Sequence, residues 1–185
     1  CYRNKRALRA IGGEPVTLLE GKQIFVTGFM ATGKSKISLI LAALTGREYV
    51  DTDDMIVETA GKSIPDIFED EGETAFRALE HQCVKEASRR PPSIISLGGG
   101  ALVHKRNWDA IGSSGVSLCI EASVKTIYDR VVRKRDERPL LAGLSDEECV
   151  AKIESMLKER QAFYAKSNVF VTSDEVKSPE DTALE

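Results

Sequence analysis

The stretch Gly28-Phe29-Met30-Ala31-Thr32-Gly33-Lys34-Ser35 decides the fold. It fits the pattern GxxxxGK[ST] and lies between an apolar run ending at Thr27 and a segment of helical period opening near Lys34. A loop of this kind turns successive backbone N–H groups toward phosphate oxygens, and the helix after it adds its positive N-terminal end. Lys34 is then placed to neutralise β- and γ-phosphates, and Ser35 to ligate Mg2+. The plainer alternative is a glycine-containing strand-to-helix turn followed by a helix-surface lysine.

Outward from this loop, short β-branched or apolar runs alternate with longer segments of helical period, which is the signature of βαβ units. Strands are predicted at 23–27, 48–50, 93–97, 116–120 and 169–172, several continuously apolar as in sheets covered on both faces. Helices are predicted at 34–44, 74–87, 124–132 and 147–164, the last opened by the capping box Ser145-Asp146-Glu147-Glu148. Ser178-Pro179-Glu180-Asp181 reads as a further helix start, cut short by the end of the chain at Glu185. The expectation is an α/β chain of three layers, α/β/α, with a central five-stranded parallel sheet. Residues 21–185 form one domain, and 1–20 form a basic leader, disordered or outside the core.

Composition agrees with that class. A chain of 185 residues with 42% hydrophobic residues buries a real core and fits one domain, which excludes disordered, collagen-like and coiled-coil classes. The net charge of −3 supplies no bulk positive field for nucleic acid or an anionic membrane. Cys1, Cys83, Cys119 and Cys149 have neither CxxC spacing nor a dense secreted framework, so they are read as reduced and the chain as cytoplasmic. No run approaches the ~18 apolar residues of a membrane helix. Arg3, Lys5, Arg6 and Arg9 are not followed by the apolar core of a secretory signal, although they suit a basic leader remnant. A first residue that is Cys rather than Met suggests a fragment or a processed form.

Three further clusters fall at strand ends or on helices. Asp51-Thr52-Asp53-Asp54 follows the second strand, where carboxyl ends open into the ligand crevice of an α/β sheet. These carboxylates suit a metal or a hydroxyl, unless Asp53 or Asp54 merely caps the next helix. Gly98-Gly99-Gly100, at the third strand end, lets a ligand lie against backbone amides, or is simply a flexible turn. Arg160 follows Ile153, Met156 and Leu157 at helical spacing and leans to the apolar side, where it needs an anionic ligand or a structural carboxylate. Arg77 has Glu80 at i+3 as a surface ion-pair alternative, and Arg138, before Pro139-Leu140-Leu141, is either a solvated charge or an arginine that reaches a transferring phosphoryl group.

Taken in order, GFMATGKS, YVDTDDMI, SIPDIF, GETAFRALE, ISLGGGA, RPLLAG and ERQAFY, running from about Lys22 to about Pro179, make the chain resemble the shikimate kinases. The resemblance implies transfer of the ATP γ-phosphoryl group to the 3-hydroxyl of shikimate, on the route to chorismate and aromatic amino acids. It implies ATP contacts from Ala31, Thr32, Gly33, Lys34, Ser35, Lys36 and Arg138, with Ser35 and Asp51 supporting Mg2+. Asp53 would hold the reacting hydroxyl as its base, with Lys34 and Arg138 completing the catalytic set. Arg77 and Arg160 would clamp the shikimate carboxylate, with Gly98, Gly99 and Gly100 in the same pocket. A mobile lid is expected at about 133–145, with Arg133 or Arg135 stacking on adenine. Ala31 departs from the glycine common in relatives. A gluconate kinase-like enzyme or a non-catalytic nucleotide-binding regulator is the alternative. The partners expected are ATP and shikimate, with no nucleic acid and no membrane, for a monomer in the cytoplasm, or in a plastid if the basic N-terminus is a transit-peptide remnant.

Overall fold

The computed structural model describes residues 21–132, 141, 143–174 and 178–184. Among these residues five strands form one sheet: β1 (Gln23–Gly28), β2 (Glu48–Asp51), β3 (Ser93–Ser96), β4 (Gly115–Glu121) and β5 (Val169–Thr172). Every pairing is parallel, in the order β2-β3-β1-β4-β5. Parallel neighbours need crossovers, and eight helices among the described residues supply or follow them. These are α1 (Lys34–Thr45), α2 (Thr52–Ala60), α3 (Ile64–Asp70), α4 (Gly72–Ala87), α5 (Lys105–Gly112), α6 (Val124–Val131), α7 (Asp146–Tyr164) and α8 (Pro179–Leu184).

The alternation of side chains along β1 explains the layers. Ile24 and Val26 pack with Ile37 and Ala42 of α1 and Ala183 of α8. Phe25 between them points to the opposite face, into a core with Phe76, Val84 and Ile111 of α4 and α5. Further along that face, Cys119 of β4 packs with Ile127 of α6 and Ile153 of α7. Because both faces are covered, all six β1 residues are buried, Gln23 through donation from its amide to the Arg90 and Pro91 carbonyls.

The predicted five parallel strands and three layers are present. The predicted strands differ by a residue or two at their ends, except β5, which matches. Three helices had no clear signal in the periodicity: α2, α3 and α5 are short and follow turns that carry site residues. Strand β5 is not covered on both faces like its neighbours: Val169, Phe170 and Thr172 are exposed and only Val171 is buried. Its position at the sheet edge, with one neighbour, is the reason. The Ser145 capping box is formed in full, with the Ser145 hydroxyl accepting from the Glu148 amide and the Glu148 carboxylate accepting from the Ser145 amide. Cys83, Cys119 and Cys149 are buried free thiols. No described helix is long and apolar enough to cross a membrane. The leader 1–20 lies outside the described residues.

Phe25→Ala is expected to cost about 3–5 kcal/mol of stability through the cavity left between sheet and helices, against about 1 kcal/mol for Ser145→Ala at the exposed cap. Urea unfolding of the two variants beside the parent measures both.

Candidate active site

The phosphate loop leaves β1 at Gly28, whose φ of 138° and close approach to the Ile120 carbonyl leave no room for a side chain. It enters α1 through Gly33, also at positive φ. Inside the loop the Phe29 carbonyl accepts from the Thr32 hydroxyl at 2.8 Å and from Lys34 Nζ at 2.9 Å, which folds the lysine back across the loop it serves. Ser35 and Lys36 are exposed at the mouth. A cleft of about 320 Å³ opens here, lined among others by Lys34, Ser35, Asp51, Asp53 and Gly99.

The acidic cluster divides its work. Asp51 caps α2: its Oδ1 accepts from the Asp53 amide at 2.9 Å, and its Oδ2 accepts from the Tyr49 hydroxyl at 2.8 Å and from Ser35 Oγ at 3.4 Å. Burial, together with Asp51, pushes the Tyr49 phenol up to about 12, so it remains a donor. Capping by Asp53 or Asp54 is therefore corrected. Asp54 is exposed, and the Asp53 carboxylate is left to face the cleft. Burial and the neighbouring Asp51 charge push Asp53 up to about 6, although Lys34 and Arg77 pull the other way. Ser35 and Asp51 together offer a hydroxyl and a carboxylate to the same space, hard oxygen donors that suit a Mg2+ that keeps most of its waters and takes phosphate oxygens.

At the glycine run each residue meets a different site group. A Cβ at Gly98 would lie 2.6 Å from Asp53 Oδ1, one at Gly99 would lie 3.9 Å from Lys34 Nζ, and one at Gly100 would lie 3.1 Å from Arg77 Nη1. Thr52 pins the turn, accepting from the Gly98 amide at 3.1 Å and donating to the Ser96 carbonyl at 3.3 Å. The Gly99 carbonyl accepts from Arg160 Nη1 at 3.2 Å and from the Tyr164 hydroxyl at 2.7 Å. A flexible turn would have no such partners.

Arg77 and Arg160 reach this turn from α4 and α7. The ion-pair alternative for Arg77 is formed but is corrected in place: Glu80 is 1% exposed rather than at the surface, and both its oxygens accept from Arg77 Nη1 at 3.1 Å. Burial raises the Glu80 carboxyl, and the Arg77 charge opposes that rise. Exposed Glu73 takes the other edge of the guanidinium, and the Phe76 ring lies 5.0 Å from its carbon. Arg160 lies over the Phe29 ring at 5.5 Å, so the phosphate loop itself supports it. Arg138, with Arg133 and Arg135, lies outside the described residues, whereas Leu141 of the same segment is fully buried. Three participants escaped the sequence reading: Glu80 as a buried partner, Tyr164 and Tyr49. Tyr164 follows Arg160 by four residues on one helix face, and Tyr49 precedes Asp51 by two on one strand face, spacings that could have shown both.

A family model described as shikimate kinase matches residues 30–185. The chain belongs to the shikimate kinase family. A shikimate kinase of Deinococcus radiodurans is 37% identical over 151 residues, covering 82% of this chain and 74% of that protein. The shikimate kinase of Bacteroides thetaiotaomicron superposes with a TM-score of 0.82 at 26% identity, covering 88% of this chain and 94% of that one. The Acinetobacter baumannii shikimate kinase, solved in complex with shikimate, has a TM-score of 0.81 at 30% identity over 90% of this chain and 91% of that one. As a shikimate kinase this chain is an ATP-dependent phosphotransferase acting on an alcohol group.

The raised Asp53 carboxyl carries a stability consequence. Its ionised form is less favoured folded than unfolded, so stability is lost as pH rises from the unfolded value of 3.8 through about 6. Asp53→Asn is expected to stabilise the ligand-free protein by about 1–3 kcal/mol at pH 7 and to have little effect near pH 4. Denaturant unfolding at the two pH values checks it; equal effects at both would separate the change from ionisation.

Proposed function

We propose that this shikimate kinase transfers the γ-phosphoryl group of ATP to the 3-hydroxyl of shikimate with Lys34, Asp53, Arg77 and Arg160 as the principal side chains. The observation that carries the reading is the junction at Gly98 to Gly100, where a carboxylate, an ammonium and two guanidinium groups meet one side-chain-free turn.

Phosphoryl transfer asks the protein for positioning and charge neutralisation more than for covalent chemistry. Backbone amides of residues 31–35, with Lys34, hold the phosphate chain, and Lys36 stands at its mouth. Ser35 and Asp51 hold Mg2+, which when bound neutralises charge on the β- and γ-phosphates. Asp53 orients the acceptor hydroxyl and takes its proton as the new oxygen–phosphorus bond forms, while the bond from the γ-phosphorus to the bridging oxygen breaks and ADP leaves. A carboxyl poised near 6 is ionised at neutral pH yet basic enough to share that proton. The planar forks of Arg77 and Arg160 match a carboxylate bidentately, which selects an acid acceptor. Arg138 and the lid at about 133–145 complete the proposal by meeting the phosphate chain and excluding water.

ADP release with MgATP, run with shikimate, gluconate, AMP or no acceptor and with Lys34→Ala as the blank, tests the reaction. Turnover is expected with shikimate alone, and equal turnover with gluconate would refute the acceptor assignment. Arg160→Lys is expected to raise the KM for shikimate about tenfold or more, because a point charge replaces a fork, while the KM for ATP holds. Unchanged shikimate dependence would remove Arg160 from the clamp. Asp53→Asn keeps hydrogen bonding without the base, so near-normal kcat there would leave orientation as its only role.

A further inference from the structure

The acceptor side of the site is built from two pieces of chain that no strand pairing joins. One is α4, which carries Arg77 and Glu80; the other is the glycine turn, which runs on into a 3₁₀ turn at Ala101–Val103. Helix α5 lies against both, and three consecutive side chains of its first turn bond outward to them. Arg106 Nη2 donates to the Arg77 carbonyl at 2.6 Å, and Trp108 Nε1 donates to the Leu102 carbonyl at 2.8 Å. Asn107, between them, is 1% exposed and holds both pieces at once.

The bonding partners fix which way this amide points. The Ala101 carbonyl can only accept, so Asn107 Nδ2 faces it, at 2.8 Å. That turns Oδ1 toward His81 Nδ1, also at 2.8 Å, and because Oδ1 can only accept, the hydrogen of this bond sits on Nδ1. His81 directly follows Glu80 and stands one helical turn after Arg77 on α4. A buried amide costs free energy unless both its ends are bonded, and here the two ends reach different elements. Arg77 has little clearance from the turn, since a Cβ at Gly100 would lie 3.1 Å from its Nη1. Asn107 does not line the cleft, so it acts through what it holds.

We propose that Asn107 is a positioning residue for the acceptor: by tying His81 of α4 to the Ala101 carbonyl, it sets the distance between the Arg77 guanidinium and the Gly98 to Gly100 turn, and with it the fit of the acceptor's carboxylate. This role rests on the reading of Arg77 as half of the carboxylate clamp, and the experiment below tests the two apart. A leucine in its place matches Asn107 in size but leaves the Ala101 carbonyl and His81 Nδ1 without that partner. The bonds of Thr32 and Lys34 inside the phosphate loop do not involve Asn107, so the nucleotide side is left as it was.

ADP release by the full chain, with MgATP and shikimate varied in turn, reads the effect. Turnover by the parent and a raised KM for shikimate in Arg77→Lys establish the clamp; no turnover, or an unchanged KM in that variant, overturns the clamp and the role of Asn107 with it. Asn107→Leu is expected to raise the KM for shikimate about tenfold, as a misplaced binding group does, while the KM for ATP stays within about twofold of the parent. In the Arg77→Lys background the same change is expected to cost less than about twofold, because residues that act through one contact do not add. A rise in both KM values would be a general loss of structure and would overturn the role. So would an unchanged KM for shikimate, or a rise that persists undiminished without the Arg77 fork. Should thermal melting show Asn107→Leu unfolded, His81→Ala, at the half-buried end of the bond, replaces it: a raised KM for shikimate alone, lost in the Arg77→Lys background, supports the role, and any other pattern overturns it.

Discussion

The site depends on a turn without side chains. Between β3 and the 3₁₀ turn at Ala101–Val103 the backbone passes Asp53, Lys34, Arg77 and Arg160 in three residues, and a Cβ at Gly98 would displace the Asp53 carboxylate, which it would meet at 2.6 Å. Four charged groups from α1, α2, α4 and α7 converge because nothing occupies the space between them. The turn is tied down all the same. Thr52 ties its amide to the end of β3, and Arg160 with Tyr164 ties its carbonyl to α7.

Electrostatics follows from that crowding. Buried charges are costly unless paired, and here the pairing is uneven by position. Asp51 is satisfied by Tyr49, Ser35 and the Asp53 amide, and it fixes the start of α2. Glu80 is buried against Arg77, which holds the guanidinium at the turn. Asp53 is the exception. Burial and Asp51 raise its carboxyl to about 6, which costs stability at neutral pH. The same helix that carries Arg160 stacks it on Phe29 of the phosphate loop, so the two halves of the site share an atomic contact rather than merely a crevice.

Much of this was legible in the residues. GxxxxGK[ST] between a strand and a helix named the loop, and the alternation of short apolar runs with helical periods set the three layers, because both patterns are local and repeat. Asp53, Arg77 and Arg160 were legible as candidates from their places on predicted elements and from the family resemblance. Their weights were not. Glu80 stands four residues from both Phe76 and Val84 on the buried face of α4, so helical spacing could have shown its burial, whereas the edge exposure of β5 follows from strand order, which no single strand encodes.

The sequence by itself determined the class of fold and the phosphate loop, because these rest on periodicity and on local spacing, and it carried the resemblance to the family in a series of motifs spread along the chain. Only the tertiary structure decided which aspartate caps α2 and which faces the cleft, that each glycine of the turn lies near a different charged group, and that Arg130, 99 residues from Ala31, reaches its carbonyl. Those are matters of distance between segments, and distance between segments is set by how the layers pack.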